Sequence, residues 1–166
     1  MKSSWPTFII SGDQFMGGYH KYESFEGQHP KSFARFIERL KTTPTPFVFV
    51  SGDRHMTEIM QFPRALLGQL SFEFTTSPLH GNVYPQSGVK EPNPWRVVAH
   101  DESLNFMTFE TWPDETSWHL NVSSRNETGG LIFARELSLT TEALKDFTIE
   151  KRQKRRKYRR ARLRRR

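Results

Sequence analysis

The sequence predicts an α/β fold, a βαβ unit followed by an antiparallel β meander and a basic tail, and three observations carry that expectation. Two short runs, 7–11 and 47–51, are apolar without polar alternation, as strands are when both faces of their sheet are covered. Between them Phe33, Phe36, Ile37 and Leu40 recur at the i, i+3, i+4, i+7 spacing of one buried helical face. Beyond residue 100 come the runs 104–112, 118–123 and 131–139 between turn-forming clusters; alternation through Trp118, Leu120 and Val122 and through Leu131, Phe133, Leu137 and Leu139, interrupted only at Arg135, is the pattern of half-buried antiparallel strands.

The first strand, Thr7-Phe-Ile-Ile-Ser11, exits into Gly12-Asp13. Residues 14–29 then form a long loop punctuated by glycine and rich in rings, and loops of that length in a compact domain are usually functional or mobile. Tyr19, His20 and Tyr22 are its candidate site residues; rings in such loops also serve to cover a core. Pro30 opens the helix, where its missing N–H costs nothing. Thr42-Thr-Pro-Thr-Pro46 closes it and leads into the second strand, so right-handed crossover and parallel pairing of 7–11 with 47–51 follow. Both Gly-Asp turns then fall at one edge of the sheet.

After His55, residues 56–60 read as a short turn of helix, and 62–70 is ambiguous. Phe72, Phe74 and Thr76 alternate against Glu73 and Thr75, a strand signal, and His80 sits just past its end. His80 is therefore either a site residue at the same edge or a hydrogen-bonded loop histidine. Residues 81–95 are turn-rich, and a short strand at 96–100 opens the antiparallel meander. Asn121-Val-Ser and Asn126-Glu-Thr match the glycosylation pattern, each short enough to arise by chance.

The focal stretch is Pro46-Phe-Val-Phe-Val-Ser-Gly-Asp-Arg-His55, an apolar strand that breaks into a small charged turn. Ligands of open α/β sheets bind beyond the carboxyl ends of strands, which is where Asp53 and His55 are delivered. If the turn stays extended, these two residues project from the same side, a carboxylate and an imidazole aimed at one metal centre or two adjacent ones. Gly-Asp after a strand is also ordinary turn chemistry. Arg54 is read either as a contact to substrate phosphate or as an outward, salt-bridging side chain.

Composition bounds the rest. At 166 residues one domain over 1–150 is expected, with a ring-rich core, since the chain holds 14 Phe and 4 Trp. There is no cysteine, which excludes disulfides and thiolate metal sites. No run approaches membrane-spanning length, and Met1–Pro6 lacks the apolar core of a signal peptide. Localisation does not follow from the sequence. The net charge of +7 is uneven: residues 151–166 carry 12 of the 25 Lys and Arg and no acid, leaving 13 bases against 18 acids, a net of −5, elsewhere. Such a tail is expected to stay disordered, its charges repelling with almost nothing to bury. Lys151, Arg152, Lys154, Arg155, Arg156, Arg159 and Arg160 make it either a ligand for nucleic acid or another anionic surface, or simply a solvated extension.

Taken together, Phe47-Val-Phe-Val-Ser-Gly-Asp-Arg-His55, the preceding Thr7-Phe-Ile-Ile-Ser-Gly-Asp-Gln-Phe15 and the following Phe72-Glu-Phe-Thr-Thr-Ser-Pro-Leu-His80 resemble the C-terminal half of the PhoD-like alkaline phosphatases, members of the calcineurin-like metallophosphoesterases. The resemblance spans about residues 5–140 and includes the loop from Gly17 to Gly27. It implies a partial metallophosphoesterase-type sheet and a phosphoester hydrolase using metal-activated water. Asp53 and His55 would be late ligands of a metal pair, iron, calcium, zinc or manganese. The family's earlier ligand motifs precede the region this chain resembles. The resemblance therefore implies an incomplete centre, inactive or nearly so in isolation, and an open sheet edge that the missing N-terminal half or a second chain would cover. The rival expectation is a non-catalytic phosphoesterase-like module that binds polyanions through its tail.

Overall fold

A computed structural model describes residues 6–17, 19–20, 22–85 and 89–140. It is a mixed α/β structure with two sheets and few helices. In chain order the elements are β1 (Thr7–Ile10), α1 (Phe25–Gln28), α2 (Pro30–Lys41), β2 (Phe47–Ser51), β3 (Thr57–Phe62), α3 (Arg64–Leu67), β4 (Ser71–Thr76), β5 (Arg96–His100), β6 (Asn105–Pro113), β7 (Ser117–Asn126) and β8 (Leu131–Thr140). The first sheet has the order β1-β2-β4-β3-β5 and the second β6-β7-β8.

The βαβ unit forms as its sequence dictates. β1 and β2 run parallel in the register Thr7↔Phe47 to Ile10↔Val50, joined through α2. Pro30 occupies the first turn of α2, and Phe33, Ile37 and Leu40 are its buried residues. Arg39 and Lys41 lie in the last turn, where positive charge suits the helix dipole. β4 then adds parallel to β2, with β3 antiparallel beside it.

Two apolar clusters show that this sheet is covered on both faces. On one, Phe47, Phe49, Met60 and Phe62 meet Phe33, Ile37 and Leu40 of α2 and Leu67 of α3. On the other, Val48, Ile59, Phe72 and Phe74 meet Trp118, Leu120, Val122 and Leu139 of the meander. Rings mesh edge to face across that second seam, Phe8 on Trp118 at 5.4 Å and Phe74 on Phe109 at 5.2 Å between centroids. Such pairs add about 0.5–1.5 kcal/mol each beyond the area they bury.

Three expectations are corrected. Residues 57–60, expected in a turn of helix, belong to β3, which pairs with β4 over six positions from Thr57↔Thr76 to Phe62↔Ser71. The strand sits between β4 and β5 with both faces covered, so its apolar residues do not alternate and the period gives no signal. Residues 96–100 join β3 in the first sheet rather than the meander. Glu73 and Thr75, which read as the polar side of an alternating strand, are fully buried.

β1 is an edge strand among the described residues. Thr7 and Ser11 send their N–H groups to Pro46 and Val50, so the alternate residues Phe8 and Ile10 turn theirs outward. Ile10 is 74% exposed. Among the described residues nothing pairs with this edge, and β1 carries no charge or proline to guard it.

Candidate functional site

The turn after β2 departs from the extended geometry expected of it. Asp53 and His55 have φ of 65° and 50°, left-handed values that L residues adopt at a cost of about 1–2 kcal/mol each. Gly52 donates its amide to the carbonyl of Gly12 at 2.8 Å, so the two Gly-Asp turns lie side by side at one edge of the sheet. The amide of His55 donates to Ser77 Oγ at 3.1 Å, beyond the end of β4. Local strain of this kind persists only where surrounding contacts hold it, and it concentrates at sites of function.

His55 is tied to a backbone carbonyl. Its Nδ1 lies 2.6 Å from the carbonyl oxygen of Asn82, and a carbonyl only accepts, so Nδ1 carries a proton and Nε2 is the ring nitrogen that this bond leaves unengaged. A backbone carbonyl fixing the remote nitrogen is the usual support for a metal-binding imidazole. The Tyr84 ring stands 4.9 Å from the imidazole. Asp53 is exposed. A carboxylate and an imidazole are donor types that a divalent ion takes, but among the described residues no group of three or more His, Asp and Glu is placed to hold one.

Arg54 makes salt bridges, as one of its two sequence readings had it, but turns inward rather than outward. Only 2% of it is exposed, and its guanidinium pairs with Glu23 at 3.1 Å and with Glu91. His20 stands between the same two carboxylates, 3.7 Å from Glu23 and 3.6 Å from Glu91. His80 is exposed in the loop after β4. Tyr19 lies half-buried, its hydroxyl donating to Gln14 Oε1 at 3.0 Å. Burial pushes the Tyr19 hydroxyl well above its ordinary range, and the Glu58 carboxylate adds to this. Tyr19 and His20 thus serve the ion-pair network behind the turn. The basic residues from Lys151 to Arg160 named above lie outside the described residues.

Sequence reading missed a buried polar layer between the β1–α1 loop and the sheet. Both oxygens of Glu73 accept loop amides, from Phe15 at 2.7 Å and Met16 at 3.0 Å. Burial still raises its carboxyl to about 7, against the pull of those amides. Gln14 Nε2 donates to Glu58 at 3.1 Å and to Thr75 at 2.8 Å, and Glu58 is further paired with Arg96. The signal available was a Glu between Phe72 and Phe74 in a strand flanked by other strands. With no exposure at either carboxylate, Glu58 and Glu73 hold the loop down and are closed to substrate. A groove of about 330 Å³ is lined in part by Lys90, His100, Asp101 and Glu102.

The described residues thus define a mixed α/β protein whose central sheet ends in a strained Asp-Arg-His turn. Comparison with family models, with curated proteins and with solved structures finds no match to this chain. No helix of the described residues is long and apolar enough to cross a membrane.

Proposed function

We propose that this chain contributes to a metal-dependent phosphoester hydrolase of the PhoD-like, metallophosphoesterase type, with Asp53 and His55 as ligands. The observation that supports it best is the anchoring of His55, whose Nδ1 is committed to the Asn82 carbonyl in the same turn that carries Asp53. The parallel β1-β2-β4 core, with its Gly-Asp turns at one edge, agrees with the motif order on which the resemblance rests. Oxygen and imidazole donors suit iron, zinc or manganese, and calcium where oxygen dominates. A metal pair would supply activated water and charge neutralisation at phosphorus. The chain's own part is to supply one carboxylate and one imidazole from a turn held by contacts distant in sequence. Further ligands would come from residues outside those described, or from a second chain at the β1 edge.

The test begins with metal. After dialysis against zinc or manganese, the wild-type chain should retain metal by plasma mass spectrometry, and Asp53→Asn and His55→Ala should each lose it. Hydrolysis of p-nitrophenyl phosphate or its bis-ester, if found, should fall with chelator and with Asp53→Ala. Hydrolysis indifferent to both would sink the reading.

The concentration of 12 Lys and Arg in residues 151–166 supports a second reading, polyanion binding through the tail. Titration of labelled DNA should then show salt-dependent affinity that disappears in a chain ending at residue 150. Retained affinity would place binding elsewhere.

A further inference from the structure

Arg54 lies between the two left-handed residues, and it is the member of the turn whose side chain is buried. Its Nη1 donates to Glu23 at 3.1 Å, its Nη2 pairs with Glu91, and its guanidinium carbon stands 5.6 Å from the centre of the Tyr19 ring. Tyr19 and Glu23 belong to the loop after β1, whereas Glu91 belongs to the connection before β5. One side chain therefore joins three segments distant in sequence. Arginine suits this task as lysine does not, because a planar fork can address two separate carboxylates and an aromatic face together, while an ammonium is a single point of charge.

The consequence falls on the neighbours of Arg54. Asp53 and His55 hold conformations that an unrestrained chain would leave, and the residue linking them is fixed by two negative charges. We infer that Arg54 is a positioning residue, whose ion-pair clamp with Glu23 and Glu91 holds Asp53 and His55 in their left-handed conformations and so sets the direction of the donor pair. Arg54 touches neither metal nor substrate in this role. The loops carrying Glu23 and Glu91 thereby control the geometry of a turn to which they supply no ligand. The metal readout below rests on the reading of Asp53 and His55 as donors, whereas the clamp is read separately from the turn itself.

The experiment uses the full chain with two substitutions, Arg54→Lys and Glu23→Gln. Glu23 is only half-buried, so its variant spares the core if Arg54→Lys fails to fold. His55 ring resonances are recorded by NMR without metal, and zinc affinity is measured by calorimetry. Both variants should move the His55 signals and weaken zinc binding about tenfold or more, the usual effect of removing a support behind a ligand, while keeping a cooperative melting transition. His55 signals and zinc affinity unchanged in a folded variant would overturn the clamp. If wild type binds no zinc yet the variants still move the His55 signals, the clamp stands and the metal reading falls.

Discussion

The amide of Gly52 reaches the carbonyl of Gly12 at 2.8 Å, tying together turns that are forty residues apart in sequence. This bond continues the parallel β1–β2 ladder past the end of both strands, and it explains why residue 52 carries no side chain. A Cβ built there would sit 3.0 Å from that same carbonyl oxygen, whereas one at Gly12 meets nothing within 4 Å. Gly52→Ala should therefore cost about 1–3 kcal/mol, the usual range for forcing extra atoms into a packed site, and Gly12→Ala should be close to neutral. Thermal denaturation of the two variants checks the asymmetry; equal effects would mean that the turns are free to separate.

Strain at the turn gives a second expectation. Asp53 and His55 occupy left-handed φ, where glycine is at ease and alanine is not. Asp53→Gly should be more stable than Asp53→Ala by about 1 kcal/mol, and His55→Gly more stable than His55→Ala by a similar amount. Urea denaturation midpoints at matched pH measure this. An alanine variant equal to its glycine counterpart would show that the turn relaxes once the side chain is gone.

Glu73 makes stability depend on pH. Its carboxyl is raised from about 4.5 to about 7 because it is buried, so the folded state holds its proton over a range in which the unfolded chain has released it. Its favourable contribution is complete below about pH 4.5 and is lost as pH rises through about 7, on the order of 3 kcal/mol in all. In Glu73→Gln the slope across this window should flatten, although one loop amide, of Phe15 or Met16, then lacks its acceptor. Urea midpoints read every half pH unit decide it: a variant with the wild-type slope would assign the effect to another group.

How far the sequence foretold these features depends on what each residue answers to. The βαβ unit was legible because Phe33, Ile37 and Leu40 obey a helical period and Phe47–Ser51 is a continuous apolar run between turn signals. The meander was legible for a related reason, since Trp118, Leu120 and Val122 alternate against a second sheet face. β3 was not, because Thr57, Glu58, Ile59 and Met60 are all buried and leave no period to read. Asp53 and His55 stood out as residue types, but their left-handed backbone depends on contacts with Ser77, Asn82, Glu23 and Glu91, which lie 22 or more residues away or in another loop. Glu58 and Glu73 were hidden by the assumption that acids in strands face water. A long-range fold gave them partners that no local pattern announces.

The pair of Glu58 and Arg96 offers the sharpest test of that buried layer. Glu58 is fully buried and accepts from Gln14, Asn93 and Arg96, so it is held by donors from two segments distant in sequence. Removing Arg96 takes away the full positive charge paired with it among the described residues, and breaking a buried pair from one side typically costs about 3–5 kcal/mol. Arg96→Met should approach that range. Glu58→Gln in the same background should recover part of the loss, since a neutral amide has no charge left to desolvate. The double-mutant cycle, measured by urea denaturation, should return a coupling above about 1 kcal/mol. Additive losses would mean that solvent reaches Glu58 once Arg96 is gone, and that the layer beneath the loop opens rather than strains.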